Sequence, residues 1–487
     1  MERQRKALIN GVLGTHRAQG VIEAVSPTGR GVVAQLPAAS AEDLGPAVAA
    51  AREAFESGIW RRMSARDRGR RMRRLAELID ANRAELAELE ALDTGKAKSY
   101  TAANDIEIAI EALDYLADQT RRISGHVSVL APDHIHHTLV QPVGVVAELL
   151  PWNGPIWTGV QRLAAILAAG CSTVMKPSEL GSLTFSRIAE LVVEADIPAG
   201  VVNIVYGAGD IGEQLVCHPG VDAVSFTGGT ATGGRILTAL ARSIKPVTLE
   251  LGGKNALIVL ADADVEAAAA WAVIGGFANA GQVCVSSSRL LVADAVHDRF
   301  VEAVVRHASQ IEVGDPLDDA TTMGTLISIE HAQKVWHAID HARERGHIVL
   351  GGERYVDFRD SGAYVPPTVV TDLPAGDPLL QTEIFGPVVT VERFRTESEA
   401  VHLANATDYG LSAGVFGSDA RRLWEVAAAL RAGEVYVNRW FSPGVLEAPV
   451  SGHKQSGLGP SGIDAYLRRT SVFFDRGDDL QASAPRA

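Results

Sequence analysis

From residue 140 to residue 437, short β-branched runs alternate with helical stretches, and this alternation narrows the possible folds more than any other feature of the chain. The run at 143–150 is followed by a helical stretch at 161–169, and the run at 173–176 by another at 183–194. Runs at 201–206 and 222–226 lead to a helix at 233–242. Apolar strands separated by helices predict βαβ units and a parallel sheet covered on both faces. This first series has the rhythm of a dinucleotide-binding domain. A second series starts at Asn255, with a strand at 256–260, a helix from Val265 and a strand at 289–292. The expectation is an α/β chain with two such units, divided at Gly252-Gly253.

The segment before this alternation reads as amphipathic helices. Ser40 is placed to cap one running to about Ser57, and Ser64 a long one reaching Leu92, stopped by Asp93-Thr94-Gly95-Lys96. Another spans 104–119. The basic stretch between Arg61 and Arg74 reads as a solvated helix face. Over all 487 residues, 45 Lys and Arg face 59 Asp and Glu, a net charge of −14, which argues against a nucleic-acid partner. The three cysteines, Cys171, Cys217 and Cys284, are too few for a disulfide framework in so long a chain. No apolar run near Met1 has the form of a signal peptide, and the longest nearly uncharged stretch, 267–281, is too short to span a bilayer. A cytoplasmic location and no membrane partner are expected. His134, His136 and His137 cluster, but no ligand set at zinc-like spacing surrounds them, so no metal is expected. Residues 481–487 read as a disordered tail.

Two glycine-rich turns follow predicted strands. Phe226-Thr227-Gly228-Gly229-Thr230-Ala231-Thr232-Gly233 opens a helix whose first amides can cradle a pyrophosphate. Gly234 and Arg235 stand where a nucleotide-triphosphate loop needs Lys and Ser or Thr, which makes an ATPase unfavourable. Gly207-Ala208-Gly209-Asp210-Ile211-Gly212 matches the dinucleotide glycine pattern letter for letter. It lacks the acidic residue that should end the next strand, so the 228–233 turn is favoured for the pyrophosphate. Lys176 and Glu179 sit just past a strand end, where open α/β sheets bind ligands.

Cys284, in Gly281-Gln282-Val283-Cys284, and Glu250, in Glu250-Leu251-Gly252-Gly253-Lys254, pair a thiol with a carboxylate in glycine-flanked turns. That pairing suits covalent catalysis, in which a thiolate attacks an electrophilic carbon and a carboxylate then activates water. Taken alone, a cysteine is more often a small buried hydrophobe, and Cys171 and Cys217 are read that way.

Six motifs in order overturn that reading for Cys284: Pro151-Trp152-Asn153, Lys176-Pro177-Ser178-Glu179, Phe226-Thr227-Gly228-Gly229, Glu250-Leu251-Gly252-Gly253-Lys254, Cys284, and Glu383-Ile384-Phe385-Gly386-Pro387. Together they make the chain resemble the aldehyde dehydrogenase superfamily from about Val21 to about Phe474. The resemblance implies oxidation of a small-molecule aldehyde to its acid, with NAD as cofactor and NADP possible. It implies Cys284 as nucleophile, Glu250 as base for hydrolysis and Asn153 as oxyanion donor. It places Leu150, Pro151, Trp152, Ser178 and Leu251 on the cofactor wall, Lys176 and Glu179 at the adenosine ribose, and Gly209 near the adenine. Phe226, Gly228, Gly229, Thr232 and Gly233 fall to the pyrophosphate, and Glu383 with Phe385 to the nicotinamide ribose. Lys254 is expected to order its loop, with a minor part in handling water.

The domains implied are a Rossmann-like cofactor domain (1–120, 139–250, 442–470), an α/β catalytic domain (251–441) and a small β oligomerisation arm (121–138, 471–487), with a homodimer or homotetramer as the assembly. Gly154 stands where the family often has an aromatic residue, and Gln161 where a Trp is frequent, with Trp157 as partial compensation. Trp440 and Phe441 are placed either to stack on an aromatic or quaternary-ammonium substrate or to pack into the core. The alternative readings are a semialdehyde dehydrogenase for an acidic or amino substrate, with Arg162 and Arg439 as candidate cations, or a non-catalytic protein keeping the fold.

Overall fold

The computed structural model describes residues 4–131, 134–441, 446–448 and 451–475. Residues 481–487 and parts of the 442–470 segment lie outside them.

Two sheets of similar size carry the chain. The first has eight strands, and its five central ones, Val202–Ile204, Ser172–Lys176, Val145–Leu149, Ala223–Thr227 and Val247–Glu250, run parallel in that spatial order. Chain order reverses between Val145–Leu149 and Ala223–Thr227, which opens a crevice at their carboxyl ends. The edges are antiparallel: Ala7–Ile9 and Val12–Gly14 on one side, Gly457–Leu458 on the other. The second sheet has seven strands, from Thr368–Thr371 across Val388–Phe394, Arg289–Ala293, Ala256–Val259 and Ser412–Phe416 to Glu434–Val437, all parallel, with antiparallel His347–Leu350 at the edge. The chain leaves the first sheet after Glu250 and enters the second at Ala256.

Central strands such as Val145–Leu149 and Ser172–Lys176 are buried along their whole length, because helices cover both faces. One of these, Pro155–Ala169, packs against the strand it leads into, Ser172–Lys176, and against Ile106–Gln119. A third, three-stranded sheet joins Val127–Ala131, His134–Pro142 and Leu467–Asp475. It leaves Val127, Val129, Leu130, Leu139, Phe473 and Phe474 exposed.

Several expectations need correction. The long helix capped by Ser64 is two helices, Ala65–Ala81 and Arg83–Thr94. Asn82 divides them by turning its side-chain amide back onto the Leu78 carbonyl (2.7 Å), a local bond that competes with helix propagation. The Ser40 cap forms as expected: its hydroxyl accepts from Glu42 N, and the Asp43 carboxylate returns to Ser40 N. Four short strands before Ala41 had no signal strong enough to register among the helices.

Candidate active site

A single cavity of about 1790 Å³ lies between the carboxyl ends of the first sheet and the amino ends of the second. The first sheet delivers Leu149 to Pro151, Lys176, Thr227 and Glu250 to its wall, and the second delivers Val285, Leu411 and Glu434.

The loop carrying Cys284 is built by backbone constraint. Asn279, Ala280 and Gly281 all have positive φ (50°, 54° and 71°), and a Cβ at position 281 would collide with the Gly386 carbonyl oxygen. Only glycine fits there. Gln282, nearly fully buried, braces the turn: its Nε2 donates to Asn279 O (3.1 Å) and Thr325 O (3.3 Å), and its Oε1 accepts from Ile327 N (2.8 Å). Asn255 holds the other side, donating to the carbonyls of Cys284 (2.8 Å) and Ser286 (2.9 Å) while accepting from Ser412 N (3.0 Å). The same loop fixes Asn153, which donates through Nδ2 to Gln282 O (3.0 Å) and receives Asn279 Nδ2 on its carbonyl (3.0 Å). One of the two Asn153 amide hydrogens is thereby engaged, and the side chain stays on the cavity wall beside Cys284.

Three carboxylates surround the thiol. Burial pushes Cys284 up to about 12, and Glu383, Glu434 and Glu250 add to it in that order. The resting group is a thiol. Glu250 is pushed up to about 7, mainly by burial; Arg162, 3.8 Å away, pulls it down, Glu434 raises it, and the Gly452 N–H lowers it. It therefore changes charge near neutrality.

The residues expected at a dinucleotide lie along the same cavity. Lys176 donates to Gly207 O (2.6 Å) and Pro177 O (3.1 Å), with the Glu179 carboxylate 3.6 Å from its ammonium. Ser178, Gly209, Phe226, Gly228, Gly229, Thr232 and Leu251 are on the wall, and the helices Gly209–Cys217 and Thr230–Leu240 both begin there. Open space lies above Gly209 and Gly229. At the other end, Glu383 accepts from Gly253 N (2.9 Å), and a Cβ on Gly252 would strike its carboxylate. Phe385 has a φ of 56°, is held through its carbonyl by the His331 ring N–H (2.7 Å), and meets Trp152 edge-on at 5.3 Å between ring centres. Two open helix N-termini, a Lys–Glu pair and a buried carboxylate in one crevice fit a dinucleotide with its pyrophosphate and two ribose diols.

Four of the expected residues stand outside the cavity lining. Gly233 lies behind the wall, where its lack of a side chain lets the helix approach Leu251. Lys254 is also behind the wall, and burial pushes it down to about 7. Trp440 is core, its indole N–H donating to Val285 O (2.9 Å), whereas Phe441 reaches the cavity beside Trp157 (5.6 Å between ring centres). Arg439 is exposed and rests over Trp271, outside the cavity. Trp157 also lies against the space above Gly154 that an aromatic side chain would take. The sequence reading missed Glu434, whose only signal is an acidic residue opening a β-branched run, and the buried Glu148 on the strand beneath Glu250 and Arg162. Among the described residues, no cluster of His, Cys, Asp and Glu is placed to hold a metal, and no helix is long and apolar enough to cross a membrane.

A cysteine, a side-chain amide and a near-neutral carboxyl on the wall of a dinucleotide-type crevice are the parts of a dehydrogenase-type enzyme. Residues 15–472 match the model of the aldehyde dehydrogenase family. The chain is 39% identical over 455 residues to betaine aldehyde dehydrogenase 1 of Oryza sativa subsp. japonica, covering 91% of this chain and 90% of that protein. It is 37% identical to the peroxisomal aminoaldehyde dehydrogenase 2 of Pisum sativum, covering 95% and 94%. The solved structure of betaine aldehyde dehydrogenase from Staphylococcus aureus in complex with NAD+ superposes with a TM-score of 0.95 at 37% identity, covering 99% of this chain and 97% of that one. The chain belongs to the aldehyde dehydrogenase family, oxidoreductases that act on aldehydes.

Proposed function

We propose that this chain oxidises a cationic aldehyde, bearing an amino or quaternary ammonium group, to the free carboxylic acid with NAD as hydride acceptor. The observation that carries the chemistry is the convergence of Cys284, Asn153 and Glu250 on one cavity wall. The observation that carries the substrate class is the rest of that cavity's lining, which includes Tyr115, Trp157, Tyr436 and Phe441 together with the carboxylates of Glu434 and Glu447. Aromatic faces and carboxylates favour a cation. The relatives named for betaine aldehyde and aminoaldehydes agree with this. An acidic substrate has less support: Arg162 already faces Glu250, and Arg439 lies outside the cavity.

Lys176, Glu179, Gly209, the 228–229 turn, Glu383 and Phe385 would hold the dinucleotide, and when bound it supplies the hydride acceptor. The Glu179 carboxylate favours a free ribose hydroxyl over a 2′-phosphate, hence NAD over NADP. Cys284 gives up its proton, through solvent or Glu250, and its sulfur adds to the aldehyde carbon. The carbonyl oxygen becomes an alkoxide, which the Asn153 amide and the Cys284 backbone N–H are positioned to bind, each worth about 3 kcal/mol. Loss of hydride leaves a thioester on Cys284. Glu250 then takes a proton from water, the hydroxide adds to the thioester carbon, and the C–S bond breaks to release the acid and the thiolate. Asn153→Ala is expected to lower kcat/KM roughly 100- to 1000-fold without loss of dinucleotide affinity, as read by steady-state kinetics and by titration of NAD binding.

We assign the first sheet and its helices (1–120, 139–250, 442–470) to the cofactor domain, 251–441 to the catalytic domain, and the three-stranded sheet to subunit pairing. The exposed Val127, Val129, Leu139 and Phe473 support a homodimer or homotetramer built on that sheet. The free cysteines agree with a reducing, cytoplasmic location.

The test is NADH formation across aminoaldehydes, a trimethylammonio aldehyde, and neutral aliphatic, aromatic and carboxylated aldehydes, with NAD and NADP in parallel. The expected kcat/KM for the cationic class exceeds that for neutral aldehydes of equal length by about 10-fold or more. A preference for carboxylated aldehydes overturns the assignment of substrate class.

A further inference from the structure

Glu148 is a fully buried carboxyl in the otherwise apolar central strand Val145–Leu149 and lies outside the cavity wall. Burying a carboxylate there is costly unless a partner offsets it. Its surroundings are specific. Tyr466 Oη donates to Glu148 Oε2 (3.2 Å), and the Ser225 hydroxyl stands 3.3 Å from the same tyrosine oxygen. Arg162, on the helix Pro155–Ala169, approaches Glu250 Oε1 to 3.8 Å, interacts with the Tyr466 hydroxyl that Glu148 holds, and feels the Glu148 carboxylate without closing an ion pair with it. Arg162 Nε and Glu148 Oε1 have no hydrogen-bond partner among the described residues. A guanidinium that acts on two carboxyls and closes a hydrogen bond with neither is shared charge rather than a closed structural ion pair.

We propose that Glu148 is a positioning residue of the reaction: by competing for the Arg162 guanidinium from behind, it keeps that cation from locking onto Glu250, so that Glu250 stays free to take the proton of water. This rests on the reading of Glu250 as the hydrolytic base. The groups facing each member are few. Glu250 is faced by Arg162 from the helix, Glu434 from the strand Glu434–Val437, Cys284 from its loop and the Gly452 N–H. Arg162 is faced by Tyr466, Glu250 and Glu148, and Glu148 by Arg162, Ser225 and Tyr466. Burial raises Glu148 to about 7, so its charge, like that of Glu250, is within reach of neutral pH.

The experiment is the pH profile of thioester hydrolysis, measured after the initial burst of NADH, in E148Q, R162Q, R162K and the E148Q/R162Q double variant. Removing the Arg162 charge leaves Glu250 harder to ionise, so R162Q is expected to move the acid limb up by about one pH unit. E148Q releases Arg162 toward Glu250 and moves the limb down by about half a unit. The double variant follows R162Q to within a few tenths of a unit, because Glu148 acts only through Arg162. R162K keeps the charge and restores most of the wild-type profile, while E148Q keeps the shape and the Tyr466 contact, so both remain informative if R162Q folds poorly. An E148Q profile identical to wild type, a shift in the R162Q direction, or a double variant displaced from R162Q overturns the proposal. E250Q serves as the control: normal thioester hydrolysis in E250Q removes the base itself, whereas a stalled E250Q with a silent E148Q removes only the role of Glu148.

Discussion

Cys284→Ala is expected to lower kcat/KM for aldehyde oxidation by about 10⁴-fold or more while leaving NAD binding intact. The whole reaction depends on a carbon–sulfur bond at this position. Without it a hydride must leave a free or hydrated aldehyde, with no tetrahedral adduct held against Asn153. The change is small in packing terms, since Cys284 is only partly buried at the edge of the second core. Its loop is held by Gln282 and Asn255 through backbone carbonyls rather than through the sulfur. The melting temperature should therefore stay within a few degrees of wild type. Cys171→Ala and Cys217→Ala provide the contrast. Cys171 is buried against the Tyr466 carbonyl and Cys217 is exposed on the helix Gly209–Cys217, so neither change should reduce turnover comparably. Turnover retained in Cys284→Ala, measured as NADH formation under saturating aldehyde, would remove the covalent mechanism.

Glu250→Gln should divide the reaction in two. The burst of NADH persists, because thiol addition and hydride loss do not need the Glu250 carboxylate once the thiolate has formed. Steady turnover falls by about 100-fold or more, the scale of a lost general base. In the wild type, the hydrolytic step should rise through a midpoint near the about 7 at which Glu250 ionises and fade as pH falls below it. Stability should move the opposite way. The folded-state value lies above the ordinary carboxylate range, so the folded protein binds the proton more tightly than the unfolded chain. Glu250 thus costs stability as pH rises from the ordinary carboxylate range toward about 7, and the cost persists above it. Glu250→Gln, neutral at all pH, should raise the melting temperature at mildly alkaline pH and lose that advantage in acid. A base tuned upward by burial is a site where function is retained against stability.

Much of this was legible in the chain because the relevant signals are local. Runs such as 173–176 and 183–194 carry their period in a handful of residues, and the start of Ala41–Ser57 follows from Ser40, to which the structure adds Asp43. The turns at 250–254 and 281–284 announce themselves by glycines whose Cβ positions are filled by other groups, as at Gly281 and Gly252. What remained hidden depends on contacts distant in sequence. Ser64 caps a helix in either reading, and only the side chain of Asn82 turning back decides where it stops. Trp440 and Phe441 are adjacent in sequence, yet one enters the core and the other the cavity, a choice made by the Val285 carbonyl. Glu148 reads as an oddity in an apolar strand until Tyr466, far along the chain, and Arg162 come to face it. The short strands at Ala7–Ile9 and Val12–Gly14 exist because the first sheet offers an edge, and their own residues do not demand it.

The most direct test of the account is the intact mass of Glu250→Gln after mixing with an aldehyde substrate and NAD. The account predicts a chain heavier by the acyl group, in proportion to the NADH formed, with the added mass on the peptide that contains Cys284. A chain of unchanged mass despite NADH formation, or an adduct on another residue, would contradict it.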